Sequence, residues 1–504
     1  MEKENLYYLS TRKNKPKALS AQAIIQGIAE EGGLFVPEII PRINGDFFQF
    51  LKNKYDYKTM AYLIMKKFFT DFEKEELIDC IDQAYNQKFD AEEITPLIKK
   101  EGAYFLELFH GPTLSFKDLA LSILPFLLTR AIQKLEVNKE IIILTATSGD
   151  TGKAALQAFS GVRGTRIIVL YPLKGVSAIQ ERQMLTQEGD NVFVVGLEGN
   201  FDDAQRGIKE IFEDRAFNKR IEERKLLFSS ANSINIGRLI PQIVYYFYAY
   251  GKMLQDGEIE NGEKINIVVP TGNFGNILAA YYAREMGLPI NKLICASNEN
   301  RVLADFFQGG IYDRRRELIS TLSPSMDILI SSNLERLLWH TGGKNFNQVK
   351  ELMELLKNRG FYAVNHFIKN KLNIFYGEFA NQQECREGIK EVFSEWKYLI
   401  DPHTAVAWVV YKKYQQKTGD TTKTVIVATA SPFKFPKSVM ESIDERNKKY
   451  SDFELIKKMS DLARISIPLA IRELEKKPIQ HHKLCSCGEI KKTIDEILSG
   501  FGNF

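Results

Sequence analysis

FHGPTLSFKDLAL, residues 109 to 121, sets Lys117 between an aromatic and an acid, and the apolar LALSILPFLLTRAI that continues it reads as a buried or amphipathic helix. A lysine carried into apolar surroundings has its ammonium form disfavoured, which leaves its amine free to attack a carbonyl and form a Schiff base. The plainer account is a lysine whose stem packs while its head reaches Asp118 or water. Thr271 to Asn276, TGNFGN, follows an apolar run with two glycines and two asparagines. Glycines there allow unusual backbone angles, and helix-start amides then converge on an anion such as a phosphate ester. The run is neither the G-x-G-x-x-G of dinucleotide folds nor a P-loop, and an ordinary turn is its bland alternative.

Thr147 to Gly152, TSGDTG, is a second such loop and richer in hydroxyls. Helix-start amides with Thr147, Ser148 and Thr151 suit a carboxylate, while Asp150 either accepts a hydrogen bond or caps the helix. In SSANSINIGRLIPQ, Arg238 lies five residues after Ser233 and suits bidentate contact with a phosphate carried by the substrate, or else a plain surface ion pair. A nucleophilic amine beside a phosphate cup points to a phosphorylated aldehyde, and pyridoxal 5'-phosphate is the economical choice.

The elements that must position these loops are short apolar runs, KEIIILTA, TRIIVLYP, NVFVVGL, KINIVVP, KLICAS and KTVIVATA. Most are followed by a small-residue turn and a helical pattern, so strand and helix alternate and imply an α/β fold of parallel sheets with helices on both faces. Ligands in such sheets sit beyond the carboxyl ends of the strands, where the loops after Leu144, Pro270 and Ala428 lie. Residues 1–95 read as a mainly helical domain, 96–450 as the α/β catalytic region with a smaller subdomain at roughly 125–235 inserted in the larger, and 451–504 as a helical tail.

The 504 residues carry 68 basic and 64 acidic side chains, interspersed, for a net charge of +4, so no basic face tracks a nucleic acid. No apolar run reaches the roughly 18 residues that span a bilayer, and no secretory leader opens the chain, which together point to the cytoplasm and away from membranes. Five scattered cysteines form no disulfide framework and fit a reducing compartment. HHKLCSCG, with His481, His482, Cys485 and Cys487, matches no established structural-zinc spacing and reads as a polar turn before a last helix, so no metal is expected.

HGPTLSFKD, TATSGDTG, SANSINIGR, VPTGNFGN and DPHTAVA occur in this order, and ALSAQAIIQGIAEEGGLFVP precedes them. In this the chain resembles the threonine synthases, fold-type II pyridoxal-phosphate enzymes of the tryptophan synthase β-like architecture, and among them the longer bacterial and fungal type, from about Tyr8 to Pro436. The resemblance implies that Lys117 carries the cofactor, that Gly272, Asn273, Phe274, Gly275 and Asn276 hold its phosphate, and that Thr429 meets the pyridine nitrogen. It also implies that Asp150 lies near the cofactor hydroxyl, that Thr147, Ser148 and Thr151 take the substrate carboxylate, and that Ser233 and Arg238 take the substrate phosphate. Shorter members have asparagine where Asp150 stands, and longer relatives often have histidine where Ser431 stands.

The implied substrate is O-phospho-L-homoserine, converted with water to L-threonine and phosphate. A phospho-lyase on the same scaffold, giving 2-oxobutyrate, and a non-catalytic anion-binding α/β protein are the competing readings. Monomer and homodimer are equally compatible with the sequence.

Overall fold

A computed structural model describes residues 5–147, 149–173 and 175–500. Two sheets dominate. The larger has six strands in the spatial order Phe375–Phe379, Ile290–Ser297, Ile265–Pro270, Thr424–Ala428, Ala103–Glu107 and Leu97–Lys100, all parallel except the last pair. The smaller is all parallel, in the order Lys483–Ser486, Val192–Glu198, Thr165–Pro172, Glu140–Ala146 and Leu226–Ser229. Four of its strands lie in the chain between Ala103–Glu107 and Ile265–Pro270, so the smaller sheet is threaded between two strands of the larger.

The six apolar runs read from the sequence are all strands, and their period of two explains why they run continuously apolar. Ile141, Ile143, Ile167 and Val169 face one core while Ile142, Leu144, Ile168 and Leu170 face another. In the larger sheet Ile267, Val269, Leu293 and Val427 point to one side, and Val268, Ile294 and Ile426 to the other. A strand buried on both faces has no polar alternation to show. Helices such as Val244–Gln255 and Gly275–Met286 fill one core, and Gln382–Trp396 and Pro402–Thr418 fill its counterpart across the larger sheet.

Residues before Leu97 form helices, the longest Lys74–Ala84, but open with a three-stranded antiparallel sheet of Tyr8–Ser10, Lys13–Ala18 and Phe35–Pro37 that the helical pattern does not announce. The tail departs from its reading as turn and helices. HHKLCSCG contains the strand Lys483–Ser486, which pairs in parallel with Val192–Glu198 and buries Cys485. Leu455, Ile456 and Met459 pack on the larger sheet and Ile490, Ile494 and Leu498 on the smaller, so the tail ties the two together. Edge pairing, not a turn propensity, decides the conformation of that segment. No helix among the described residues is long and apolar enough to cross a membrane.

Candidate active site

The carboxyl ends of Glu140–Ala146, Ile265–Pro270 and Thr424–Ala428 open on one cavity of about 880 Å³, its mouth included. Lys117, Thr147, Asp150 and Thr151 line it on one side, Ser233 and Arg238 on another, and the whole turn Thr271 to Asn276 and Thr429 on a third. Ser148 lies outside the described residues. Every other sequence-predicted site residue is therefore brought to the same space.

Lys117 opens the helix Lys117–Leu121, whose Leu119, Ala120 and Leu121 are buried, so the helix carries the amine inward. Its Nζ is 3.3 Å from Asp150 Oδ2 and 4.9 Å from the centre of the Phe116 ring. Burial lowers the Lys117 pKa, Asp150 opposes this, and the Lys434 and Arg238 cations reinforce it. Asp150 does not cap its helix: Gly149, at φ 126, holds the cap position without a side-chain bond. Its carboxylate instead accepts from Lys434 Nζ at 2.7 Å, Gln180 Nε2 at 2.7 Å and Ser325 Oγ at 3.2 Å. Burial alone would raise the Asp150 pKa, but Lys434, Lys117 and His403 hold it well below the usual carboxylate range.

Lys434, Gln180, Ser325 and His403 are functional candidates that the sequence reading passed over. His403 Nδ1 lies 2.5 Å from Asp401 Oδ2, and its Nε2 accepts the Ser325 N–H at 3.3 Å. DPHTAVA and TASPFKFP contained two of these residues, but nothing in their spacing says that they converge on Asp150.

The turn Thr271 to Asn276, read from the sequence as a candidate phosphate cup, is strained. Phe274 adopts a left-handed conformation, φ 64 and ψ 1, immediately before the helix Gly275–Met286. Such a conformation costs a non-glycine residue on the order of 1 kcal/mol or more and persists where packing over-determines it. Here the Phe274 ring lies 5.8 Å from that of Phe307 and 5.9 Å from that of Phe375. A Cβ on residue 272 would stand 2.9 Å from the Ser325 carbonyl oxygen, so Gly272 is required by close approach. At Gly275 the nearest atoms to such a Cβ are 3.6 Å away, an ordinary contact.

Asn276 Oδ1 accepts from Tyr245 Oη at 2.9 Å and from Tyr246 Oη, whereas its Nδ2 is buried with no partner among the described residues. Burying an unpaired donor is costly, so this Nδ2 is a group for which a bound ligand could supply the acceptor. Asn333, also unanticipated, joins the two anion sites, since its Nδ2 donates to the Asn273 carbonyl at 2.9 Å and to Ser233 Oγ at 3.0 Å. Arg336 in turn donates to Asn333 Oδ1 and, at 2.9 Å, to the carbonyl of Phe35. The N-terminal sheet thereby braces the cup.

Thr147 Oγ1 accepts the N–H of Gly149 at 2.9 Å and of Gly152 at 2.7 Å, which shapes the loop and leaves the hydroxyl proton to donate. Arg238 is 2% exposed and is no surface residue. Its Nη1 donates to the Ala231 carbonyl, its Nε has no partner among the described residues, and burial lowers its pKa to about 10. Thr429 is buried one residue beyond the strand Thr424–Ala428, and its carbonyl accepts the Phe116 N–H at 2.8 Å, which ties the last strand to the segment bearing Lys117.

Comparison with known proteins accords with this arrangement. The family described as Threonine synthase N terminus matches residues 7–85, Pyridoxal-phosphate dependent enzyme matches 88–363, and Threonine synthase, C-terminal matches 404–483. Threonine synthase of Saccharomyces cerevisiae is 37% identical over 465 residues, covering 86% of this chain and 89% of that protein. The chain belongs to the threonine synthase family, within the pyridoxal-phosphate-dependent enzymes.

Two solved members superpose over nearly the whole chain. The yeast threonine synthase does so with TM-score 0.86, 33% identity and 98% of this chain against 99% of that one. The PLP-bound threonine synthase of Brucella melitensis gives 0.85, 32%, 98% and 99%. The cavity fits such a cofactor: a desolvated amine stands on one side, and a cup with an orphaned donor at a helix start stands on another.

Proposed function

We propose that this chain converts O-phospho-L-homoserine and water to L-threonine and phosphate, as a carbon–oxygen lyase acting on phosphates in the closing step of threonine biosynthesis, with pyridoxal 5'-phosphate as cofactor. The observation that carries this reading is one cavity lined together by a desolvated lysine, the turn 271–276 and the pair Ser233 and Arg238. One anion site serves the cofactor and the other a phosphate on the substrate. A single phosphate ligand would need only one.

Pyridoxal phosphate, when bound, supplies an electron sink next to the amino-bearing carbon. We assign Lys117 to carry it, residues Gly272 to Asn276 to hold its phosphate, Thr429 to face its pyridine nitrogen as a neutral partner, and Asp150 to stand near its hydroxyl. Lys117 Nζ, whose ammonium form burial disfavours, then moves protons at Cα and Cβ of the substrate. Arg238 and Ser233 grip the phosphate as the Cγ–O bond breaks and charge gathers on the leaving group. Thr147, Ser148 and Thr151 fix the carboxylate and so the orientation of the carbon chain. Cγ, having lost the phosphate, takes up a proton to become the methyl group, and water delivers its oxygen to Cβ.

Purified protein incubated with O-phospho-L-homoserine should release threonine and phosphate in equal amounts. Accumulation of 2-oxobutyrate and ammonia instead would assign a phospho-lyase, and absence of any visible cofactor absorbance would remove the catalytic reading. All five cysteines are unpaired, which supports a cytoplasmic setting.

A further inference from the structure

Two lysines share one buried carboxylate beside the reacting amine. Lys434 Nζ is 2.7 Å from Asp150 Oδ1 and Lys117 Nζ is 3.3 Å from Oδ2, with side-chain exposures of 0%, 2% and 11% for Lys434, Asp150 and Lys117. Gln180 Nε2 and Ser325 Oγ occupy the rest of the carboxylate, and Lys434 has a second acceptor in the Thr113 carbonyl at 2.8 Å. The next acid, Asp118, is already bound by the Thr113 N–H at 2.8 Å and hydroxyl at 2.6 Å.

The cations that bear on Lys117 are Lys434 and, from the helix Ile236–Leu239, Arg238. His403 faces Asp150 from the helix Pro402–Thr418, with its Nδ1 held by Asp401. Lys153, one turn along the helix of Asp150, is spent on Gln157 and Gln187. Among the described residues the two ammoniums therefore compete for Asp150 in a site of low dielectric, with Asp118 a second acid whose field reaches Lys434. Lys434 has two close acceptors and no exposed surface, whereas Lys117 has one longer contact and an opening to the cavity. Of these two lysines, Lys117 is the one whose ammonium is held less firmly.

We propose that Lys434 is a positioning residue that occupies Asp150 and thereby favours the unprotonated form of the Lys117 amine for reaction with the cofactor aldehyde. This rests on Lys117 being the cofactor-bearing residue. The purpose of Lys434 is then electrostatic, beyond the packing of a buried stem.

The test reads cofactor capture rather than turnover. Cofactor-free protein is mixed with pyridoxal 5'-phosphate between pH 5.5 and 10, capture is followed by visible absorbance, and the label is fixed with borohydride and located by peptide mass spectrometry. Lys434→Met frees Asp150 to pair with Lys117 alone, so the midpoint for capture should rise by about one pH unit or more, and capture at pH 7 should slow about tenfold. Asp150→Asn leaves Lys117 among cations only and should lower the midpoint. Adding Lys434→Met in the Asp150→Asn background must raise it again, toward wild type, and this pair of variants decides the matter if Lys434→Met alone does not fold. A purely structural lysine would reduce melting temperature with no movement of the midpoint in either background, which would overturn the proposal. Failure of the wild-type protein to fix label on Lys117 would instead overturn the functional reading beneath it.

Discussion

A residue kept for a ligand should cost the protein stability when the ligand is absent, and Arg238 allows that to be measured. Burial pulls its pKa well down from the ordinary arginine value, to about 10. A displacement of that size corresponds to roughly 3 kcal/mol by which the folded protein disfavours the charged guanidinium. Arg238→Met removes this cost while retaining an apolar stem of similar length. It also deprives the Ala231 carbonyl of its donor, a loss of about 1 kcal/mol. The variant should therefore be more stable than wild type by about 1–2 kcal/mol in denaturant unfolding without ligands.

Its activity should move the other way. A charge-assisted bond to phosphate is worth about 1.5–3 kcal/mol, so kcat/KM for O-phospho-L-homoserine should fall about ten- to 150-fold. Part of the fall should appear in kcat, because the leaving phosphate gains charge as its bond breaks. Inhibition by inorganic phosphate should weaken in parallel while the cofactor absorbance persists. A variant destabilised by more than about 2 kcal/mol with kcat/KM intact would show that Arg238 serves the fold, and the reasoning would fail.

Lys117→Ala should abolish covalent cofactor attachment and turnover yet leave far-ultraviolet circular dichroism unchanged, and wild-type turnover in it would contradict the central assignment. Gly275→Asp has room for its Cβ, with the nearest atoms at 3.6 Å, so its effect is one of charge. At about 4–5 Å and an effective dielectric near 20, repulsion of about 3–4 kcal/mol should weaken cofactor binding several-hundredfold in a titration, and unchanged affinity would move the cup elsewhere. His110 sits between Asp90 at 2.6 Å and Glu107 at 2.8 Å, and although burial opposes it, these acids raise its pKa to about 9. Its stabilising contribution is full below about pH 6.5 and is lost as pH rises through about 9; with Asp90 half exposed it should be about 1–2 kcal/mol. The difference in unfolding free energy between wild type and His110→Gln should shrink by that amount over this interval, and a constant difference would show that the pairing does not titrate.

The fold was legible where strands are buried on both faces and obscure where they are not. KEIIILTA and KINIVVP advertise themselves because residues 141–146 and 265–270 are buried at every position. The strands passed over are mostly sheet edges, Phe375–Phe379 and Leu97–Lys100 in the larger sheet and Leu226–Ser229 and Lys483–Ser486 in the smaller. Half-solvated edges carry mixed residues, so neither continuous hydrophobicity nor strict alternation marks them. One interior strand of the larger sheet was also missed, AYFLE at Ala103–Glu107, which holds no β-branched residue, as was Tyr8–Ser10 at the centre of the N-terminal sheet.

The site divides along the same physical line. Binding turns are local: the glycines of TGNFGN, the hydroxyls of TSGDTG and the serine-to-arginine spacing of SINIGR each fit within a few residues, and a sequence displays them whole. The charge balance around Lys117 is not local. Asp150 begins a helix of the smaller sheet, Lys434 follows the last strand of the larger, and Ser325 comes from the loop between Ile311–Asp313 and Leu334–Thr341. How strongly the ammonium of Lys117 is disfavoured depends on Asp150, which Ser325 contacts, and on Lys434, and hence on the two sheets closing over one cavity. The capacity to bind anions is thus written in segments, whereas the reactivity of the amine exists only in the assembled fold.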